Sequence, residues 1–441
     1  MIRLATFALS AVLFAAVAAS AQDTARIDQV IQSHVSAGTF MGTVLVAQGG
    51  AVVVDKAYGM ANVEWDVPNT PATKFRLGSI TKQFTAAAIL LLEERGKLKV
   101  DDRVKSFLPE SPMAWDRITI FNLLTHTAGI PNFTASADYA TIKLSARSAD
   151  AAVTSFRDRP LDFGPGEQMR YSNSGYLVLG AIIEKVSGQS YETFVTDHLF
   201  ALAGMTDSGY DSNAAIIKRR ASGYVRTPAG LTNAGYLHMS IPHAAGALYS
   251  TTHDLLKWER ALFAGKIVSK ASLDRMITPF KNDYALGLTS ALVNGRRVIA
   301  HGGGIDGFNT HLAYYPDSRT VVIVLSNVNG TVPGTLAGQL GALMHGDSVT
   351  LTAERKAITV PAATLARYVG AYELAPNAVM TITLEGDGLM GQLTGQGKLP
   401  IFPQSETLFF LKVVDAQIEF AADGSSLVLH QNGRSTKAAR R

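Results

Sequence analysis

The sequence predicts an α/β layered domain followed by a small antiparallel β-barrel. Strand-like segments occur at both ends of the first domain, at residues 42–59 and 296–327, and strands so placed can pair into one sheet. The chain between them is mostly helical in pattern, which is typical of a helical insertion on one side of a sheet. Beyond Tyr368, short apolar runs alternate with turn residues, as expected of an antiparallel barrel.

The bulk composition excludes several classes of protein. Hydrophobic residues make up 47% of the chain and charged residues 17%, which is typical of a globular protein and not of a disordered one. The 40 basic and 36 acidic residues leave a net charge of +4 without any dense basic block, so no nucleic-acid partner is expected. The absence of cysteine excludes disulfides and a thiol nucleophile.

Residues 1–21 have the composition of a signal peptide. Arg3 supplies the positive charge, residues 4–18 are apolar, and Ala19-Ser20-Ala21 fits a small-x-small cleavage site, with cleavage after Ala21. We therefore expect a periplasmic or secreted protein without a membrane span once the signal is removed, since no later apolar run is long enough. An uncleaved membrane anchor is the alternative interpretation of this segment.

Four local patterns predict the elements of the layered domain in chain order. Residues 25–37 have the apolar spacing of a helix, and two β-branched runs joined by Gly49-Gly50 predict a hairpin. An apolar helix follows Ser79 and is expected to end at Gly96. The clearest later helix ends in the same way, at Gly188.

The composition changes after Asp347. We expect the layered domain at residues 22–347, a linker at 348–363 and a β-rich accessory domain at 364–441. Three roles for this tail stay open: it shapes the entrance of a site, mediates self-association, or stabilises the first domain. The oligomeric state is not predicted.

Ser79 and Lys82 stand at the start of the apolar helix, three residues apart and therefore on one face. A lysine so placed can help to ionise the serine hydroxyl, provided that burial keeps the amine partly neutral. The tetrad alone is weak evidence, because about one Ser-x-x-Lys is expected by chance in a chain of this composition. The alternative is a helix cap.

Two further polar clusters change this balance. Tyr171-Ser172-Asn173 precedes the second apolar helix, and a run of His301 and three glycines follows the strand that ends at Ala300. A cap and a flexible loop are the alternatives for these two clusters. A buried lysine is costly unless a partner or a reaction uses it, so the helix after Ser79 favours a chemical role.

Together, Ser-x-x-Lys, Tyr-Ser-Asn and His-Gly-Gly resemble, in order, the motifs of the β-lactamase-related serine hydrolases. This family comprises class C β-lactamases, DD-peptidases, D-aminopeptidases and related esterases. The resemblance covers about residues 27–330 and includes the segments ITIFNLLTHTAGIP, FGPGEQMRYSNSGYLVLG and HGGGIDGFNTHLAYYP. It implies an antiparallel sheet flanked by helices with an all-helical insertion. The β-rich tail is similar to the lipocalin-like accessory domains of some members.

The resemblance also implies roles for individual residues. Ser79 would be the nucleophile that forms an acyl-enzyme, Lys82 would take or relay its proton, and Tyr171 would act as general acid or base. The tyrosine would need the Lys82 cation nearby for its phenolate to form. Asn173 would hold the carbonyl or amide of the substrate. The oxyanion hole would consist of the backbone N–H groups of Ser79 and Gly304.

The third motif departs from the Lys-Thr-Gly of β-lactamases, since His301 replaces the lysine and Gly302 the hydroxyl residue. The His-x-Gly pattern is similar to that of D-aminopeptidases. This resemblance implies that His301 and Gly303 are substrate-binding residues. It implies an exported peptidase or amidase that prefers D-residues. The alternatives are a carboxylesterase of the same fold, a β-lactamase or DD-carboxypeptidase, and a penicillin- or peptide-binding protein without turnover. The expected partner is a small-molecule, peptide or ester substrate.

Other candidates carry less weight. His126 occupies a structural position of the family, and Asp254 belongs in the first turn of a helix capped by Ser250, Thr251 or Thr252. Asp306 could contact a substrate amine. The ten histidines have no metal-ligand spacing, and the glycine run lacks the Lys-Ser/Thr of a phosphate loop, so neither a metal nor another cofactor is predicted.

Overall fold

A computed structural model describes residues 21–431 and 434–441. The predicted signal peptide therefore lies outside the described residues except for Ala21, at which the first helix begins. Among the described residues, no helix is both long and apolar enough to cross a membrane.

A six-stranded antiparallel sheet forms the centre of the first domain, with the strand order β3-β4-β5-β6-β1-β2. The first two strands form the predicted hairpin, whose turn residues Gly49 and Gly50 both have positive φ. The strands are β1 (Gly42–Gln48), β2 (Ala51–Tyr58), β3 (Thr289–Val293), β4 (Arg296–Ile305), β5 (Phe308–Tyr315) and β6 (Thr320–Ser326). Strands from both ends of the domain thus share one sheet, and the predicted fold class is confirmed.

Helices cover both faces of this sheet. One face packs against α1 (Ala21–Ser36) and α5 (Val332–Met344), which contact each other and bury the β-branched residues of β1 and β6. The other face and the helical insertion share a larger core, which includes α2 (Thr81–Glu94), α3 (Asn173–Ser187) and α4 (Thr252–Phe263). The sheet is therefore the middle of three layers.

Shorter elements connect these layers. The other α-helices are Ile120–Leu124, Tyr139–Ile142, Ala149–Arg157, Tyr191–Val195, Ala201–Ala203, His243–Gly246, Lys270–Met276 and Ala362–Arg367. The 3-10 turns are Gly78–Ile80, Val104–Ser106, Met113–Trp115, Phe133–Ala135 and Thr352–Glu354, and Thr196–Phe200 is a π-helical turn. The short strands are Met60–Asn62, Val67–Pro68, Phe75–Arg76, Gly209–Tyr210, Tyr224–Thr227, Gly230–Asn233, Leu248–Ser250 and Val328–Asn329.

The helix α2 lies at the centre of the first domain. Its residues from Thr81 to Leu92 are all buried, as the Ala- and Leu-rich sequence predicts for a helix packed on every side. Gly96 follows it with φ +66°, and Gly188 follows α3 with φ +72°. Both glycines accept the left-handed conformation that ends a helix, as predicted.

The C-terminal residues form a closed eight-stranded barrel, which confirms this part of the predicted fold class. The barrel closes where Tyr372 and Glu373 pair with the last strand. A cluster of aromatic and aliphatic side chains fills its interior. The strands are Gly370–Ala375, Ala378–Glu385, Gly388–Leu393, Leu399–Pro403, Leu408–Phe410, Ala416–Phe420, Ser426–Gln431 and Arg434–Arg440.

Candidate active site

Ser79 lies in the 3-10 turn Gly78–Ile80, directly before α2, and Lys82 lies in the first turn of that helix. The Lys82 Nζ atom donates a hydrogen bond of 3.0 Å to Ser79 Oγ. Neither the turn nor the helix has a side-chain cap at its N-terminus, so Ser79 does not cap α2. The two side chains that the i, i+3 spacing places on one face are in direct contact.

Lys82 is fully buried, and its amine makes three hydrogen bonds. Besides Ser79, the acceptors are Asn173 Oδ1 at 2.8 Å and the backbone carbonyl of Ala245 at 2.8 Å. None of the three acceptors is a carboxylate. Burial therefore lowers the pKa of Lys82 well below its ordinary value, which favours the neutral amine.

Tyr171 lies directly beside Lys82. The Lys82 Nζ atom lies 4.8 Å from the centre of the Tyr171 ring, and Tyr171 and Ser79 line the same cavity. Burial raises the pKa of Tyr171 above its ordinary value, and this outweighs the opposite effect of the Ser79 hydroxyl. The lysine therefore contacts the face of the ring, and burial favours the neutral phenol.

Asn173 connects the first and second motifs. It is the first residue of α3, and Ser172 before it makes no side-chain cap. The Asn173 Nδ2 atom donates to Thr134 Oγ1 at 3.1 Å, and its backbone N–H donates to Asn132 Oδ1 at 3.1 Å. These contacts orient the Asn173 amide so that its oxygen points to Lys82.

Gly304 on β4 lies against the turn that carries Ser79. A Cβ atom at Gly78, whose φ is +55°, would lie 2.8 Å from the Gly304 backbone nitrogen. Because β3 pairs with β4 only as far as Ala300, residues 301–305 pair on one side alone within the described chain. The Ser79 turn occupies the edge thus left open, and Ser79 and Gly304 line the same cavities.

His301 is buried on β4 beside this turn, and both of its ring nitrogens have protein partners. Nε2 lies 3.1 Å from the Tyr284 hydroxyl, and Nδ1 lies within hydrogen-bond distance of the Gly302 carbonyl. Burial, with the nearby Lys82 as a smaller cause, lowers the pKa of His301 to about 3. His301 is therefore a neutral imidazole.

Gly303 serves close packing. A Cβ atom at Gly303 would lie 1.9 Å from the Leu77 carbonyl oxygen and 2.2 Å from Thr310 Oγ1. Thr310 Oγ1 itself donates to that carbonyl at 2.7 Å. This contact joins β5 to the Ser79 turn, so the absent side chain lets the turn approach the sheet.

Two cavities meet at Ser79 and Gly304. The smaller, of about 170 Å³, lies on the Asn173 side and is walled by Phe133, Tyr139 and Leu237. The larger, of about 650 Å³, contains Tyr171 and His301 and continues along β4 and β5 to the barrel. A substrate bond placed at Ser79 would thus have a compact pocket on one side and a roomy one on the other.

Several contributors to the site lie outside the three sequence motifs. The Ala245 carbonyl is a backbone group, and Thr134 and Tyr284 are isolated side chains between the motifs. Leu429, Gln431 and Thr436 come from the barrel and line the larger cavity. In the sequence, the polar segments before Phe133 and around Tyr284 are the features that could have indicated Thr134 and Tyr284.

The structure also places the three other candidate residues of the sequence analysis. His126 packs under Tyr171, with ring centres 4.2 Å apart, and its Nδ1 accepts the Ser172 N–H. The Thr251 side chain caps the helix that contains Asp254, as predicted. Asp306 forms an ion pair with Lys143 beside the smaller cavity. Within residues 21–431 and 434–441, no cluster of three or more His, Cys, Asp or Glu could hold a metal ion.

Comparisons with known proteins identify the family of the chain. The sequence model of the Beta-lactamase family matches residues 27–343, and a domain of unknown function, DUF3471, matches residues 354–432. A penicillin-binding protein of Bacillus subtilis is 31% identical, with 91% of this chain and 95% of that protein covered.

Several solved structures have a fold similar to that of this chain. The octameric penicillin-binding protein homologue from Pyrococcus abyssi has a TM-score of 0.69 and 25% identity, over 94% of this chain and 100% of that one. A D-stereospecific amidohydrolase from Streptomyces has a TM-score of 0.66 and 24% identity, over 74% of this chain and 99% of that one, and shows the fold alone. The resemblance inferred from the motifs is confirmed, and the chain belongs to the Beta-lactamase family of serine hydrolases.

Proposed function

We propose that this chain is an exported hydrolase that cleaves amide or ester bonds through an acyl-enzyme on Ser79. One observation carries the proposal: a fully buried lysine amine, without a carboxylate partner, donates to the Ser79 hydroxyl at 3.0 Å. A binding protein without turnover has no physical need for this costly pair. Export rests on the composition of residues 1–21.

In the acylation step, Lys82 acts as the base. The neutral amine accepts the Ser79 proton while Oγ attacks the substrate carbonyl, and the carbonyl oxygen takes the negative charge. The backbone N–H groups of Ser79 and Gly304 stabilise this oxyanion. The Asn173 oxygen accepts from Lys82, and one N–H of its Nδ2 group donates to Thr134. The second N–H of that group is the donor for the substrate.

Tyr171 acts as the acid for the leaving group. As the carbon–nitrogen or carbon–oxygen bond breaks, the neutral phenol gives its proton to the departing atom, and proton transfer from the Lys82 ammonium restores the phenol. In deacylation, a water molecule takes the place of the leaving group and the same transfers run in reverse. The acid is released, and Ser79 regains its proton.

The lining residues favour substrates without a carboxylate next to the scissile bond. Among the described residues that line the two cavities, none is a lysine or arginine, and His301 is neutral with both nitrogens occupied. β-Lactams and the substrates of DD-carboxypeptidases carry such a carboxylate, and a lysine or arginine would bind it through charge-assisted hydrogen bonds. We therefore propose a peptidase or amidase that prefers D-residues. A carboxylesterase is the second candidate, since an ester needs no cation in the pocket either.

Parallel turnover of four substrates tests this proposal: a D-alanyl anilide, an L-alanyl anilide, a short-chain nitrophenyl ester and a chromogenic cephalosporin. Ser79→Ala is the control. We expect the D-anilide to exceed the L-anilide by more than about tenfold in kcat/KM, which corresponds to roughly 1.4 kcal/mol.

Other outcomes distinguish the alternatives. Turnover of the ester alone would favour the carboxylesterase, and efficient cephalosporin turnover would contradict the proposed substrate class. A long-lived adduct on Ser79 without turnover would indicate a binding protein. Undiminished hydrolysis by Ser79→Ala would overturn the assignment of the nucleophile.

A further inference from the structure

His311 stands in the wall of the larger cavity and has no role in the chemistry described above. It lies on β5 directly across from Gly302, in the pairing register of β4 and β5. Directly opposed residues of an antiparallel pair project to the same face of the sheet. His311 therefore points to the side on which Gly302 has no side chain.

The imidazole occupies the space that a side chain at residue 302 would approach. A Cβ atom at Gly302 would lie 3.5 Å from His311 Nδ1, and one at Gly334 would lie 3.6 Å from it. The β-lactamase-type motif carries its hydroxyl residue where this chain has Gly302. The nitrogen of His311 thus lies close to where that hydroxyl would be.

His311 and Ser79 line one continuous cavity, with Gly302 and Gly304 between them in its wall. Gly302 and Gly304 are exposed residues of β4, and both line the cavity that also contains Ser79, Tyr171 and His311. Because both residues are glycines, neither places a side chain in the cavity. Tyr171, the proposed acid for the leaving group, lies in this same cavity, so the cavity receives the leaving group.

His311 is available to a ligand. It makes no hydrogen bond to any residue within 21–431 or 434–441, although it is only partly exposed. Burial lowers its pKa to about 4, so the ring is neutral near pH 7. The helix α5 begins at this wall, but Pro333 offers no backbone N–H there. The described lining residues include no Asp, Glu, Lys or Arg.

The barrel supplies the opposite wall of this space. Leu429 and Gln431 come from one of its strands and Thr436 from the next. All three residues line the cavity together with His311. These side chains are uncharged, and two of the three can form hydrogen bonds. The barrel thus bounds the leaving-group side of the site with polar, neutral groups.

We propose that His311 is a specificity-determining residue whose imidazole hydrogen-bonds an uncharged polar leaving group, such as the next peptide unit of an amide chain, in a subsite closed by the barrel. This inference rests on the proposed function. It assigns the substrate class on the leaving-group side: a chain that continues beyond the scissile bond and has no carboxylate at this point.

The test compares three substrates that share one acyl group. D-Alaninamide releases ammonia, which is too small to reach His311, whereas D-alanyl-glycinamide reaches it with a neutral amide and D-alanyl-glycine with a carboxylate. If the first turnover series favours esters, three esters with the corresponding alcohols replace them. The variants are His311→Ala, His311→Gln and His311→Lys, and the exposed His253→Ala is the matched control.

We expect the wild type to prefer D-alanyl-glycinamide to D-alanyl-glycine. His311→Ala should lower kcat/KM for D-alanyl-glycinamide about tenfold, the effect of one lost hydrogen bond. It should change the value for D-alaninamide less than about twofold. His311→Gln should recover part of the loss, and His311→Lys should raise the value for D-alanyl-glycine, since it adds a cation.

An equal loss for D-alaninamide and D-alanyl-glycinamide would indicate a merely structural role and overturn the inference. Unchanged values for both substrates in His311→Ala would overturn it as well. Failure of the proposed function is seen separately, as an absence of Ser79-dependent turnover in the wild type.

Discussion

Gly78 and Gly304 lie so close together that a single added carbon would separate them: a Cβ atom at Gly78 would lie 2.8 Å from the Gly304 nitrogen. This contact fixes the Ser79 turn on the edge of β4. It also brings together the two backbone N–H groups that we propose for the oxyanion hole. The relationship joins residues that are far apart in sequence and adjacent in the site.

Replacing Gly78 by alanine should therefore damage both stability and activity. The positive φ alone costs about 1–2 kcal/mol for a residue with a side chain, and the clash displaces Gly304 or Ser79. Because loss of one oxyanion donor typically lowers kcat by about 10²–10³, we expect a fall of that order for Gly78→Ala. Thermal unfolding and steady-state kinetics measure the two effects.

Gly96→Ala is the matched control, since Gly96 has φ +66° and no atom within 4 Å of an added Cβ. It should lose only the stability that the positive φ costs and keep its kcat. Equal kcat values for the two variants would contradict the role of the Gly78–Gly304 contact.

The pH dependence of kcat/KM should report the protonation of Lys82. The buried amine is active when neutral, so activity should fall as the pH drops and the ammonium forms. Asn173→Asp places a carboxylate where Asn173 Oδ1 now lies 2.8 Å from the amine, which stabilises the ammonium. This acid limb of the profile should then move to higher pH by about one unit or more.

Asn173→Ala removes the same acceptor without adding charge, so its limb should not move upward. If the aspartate and alanine variants have the same profile, Lys82 is not the group that titrates.

Removal of the Lys82 amine should slow acylation strongly. Lys82→Met fills a similar volume without a base, and general base catalysis contributes about 10²–10⁴ to the rate, so a loss of that size is expected. Stopped-flow detection of the acylation burst measures it. Lys97→Met, which changes an exposed lysine three residues beyond the end of α2, should acylate normally. A normal burst in Lys82→Met would assign the base role to another group.

Glu259 should make stability fall with rising pH. It lies in α4, is 4% exposed, and its Oε2 atom has no hydrogen-bond partner among the described residues. Burial raises its pKa to about 8 from an ordinary value of 4.5, so the folded state holds a proton that the unfolded state has lost. Between about pH 4.5 and 8 this group should lower the free energy of unfolding by up to about 1.4 kcal/mol per pH unit.

Glu259→Gln removes this linkage, so its free energy of unfolding should vary less with pH over that range. Urea unfolding at several pH values provides the measurement, with the exposed Glu110→Gln as the control. An unchanged pH slope in Glu259→Gln would show that the carboxyl group is not protonated in the folded state.

The fold class followed from local patterns because each pattern depends on neighbours in the chain. The Gly49-Gly50 turn, the buried length of α2 and the glycine after α3 all reflect preferences within a few residues. The contact between Ser79 and Lys82 is of the same kind, since an interval of three residues on a helix brings the side chains together. The domain limits at residues 347 and 364 stay predictions.

The rest of the site depends on contacts between distant segments. The motif predicts that His301 faces a substrate, but its partners are set by the packing of Tyr284 and by the course of the strand. The expected role of the Lys82 cation beside Tyr171 depends on burial, which favours neutral forms of both groups. Burial is a property of the packed protein.

By itself, the sequence determined the serine–lysine pair, the order of the three motifs and the succession of a layered domain and a barrel. The tertiary structure alone decided which groups surround that pair: the Ala245 carbonyl that accepts from Lys82, and Thr310, whose hydroxyl holds the Ser79 turn on the sheet through the Leu77 carbonyl. The reason is physical. Helix periodicity acts over three or four residues, whereas strand register and packing join residues hundreds of positions apart, and no short segment encodes them.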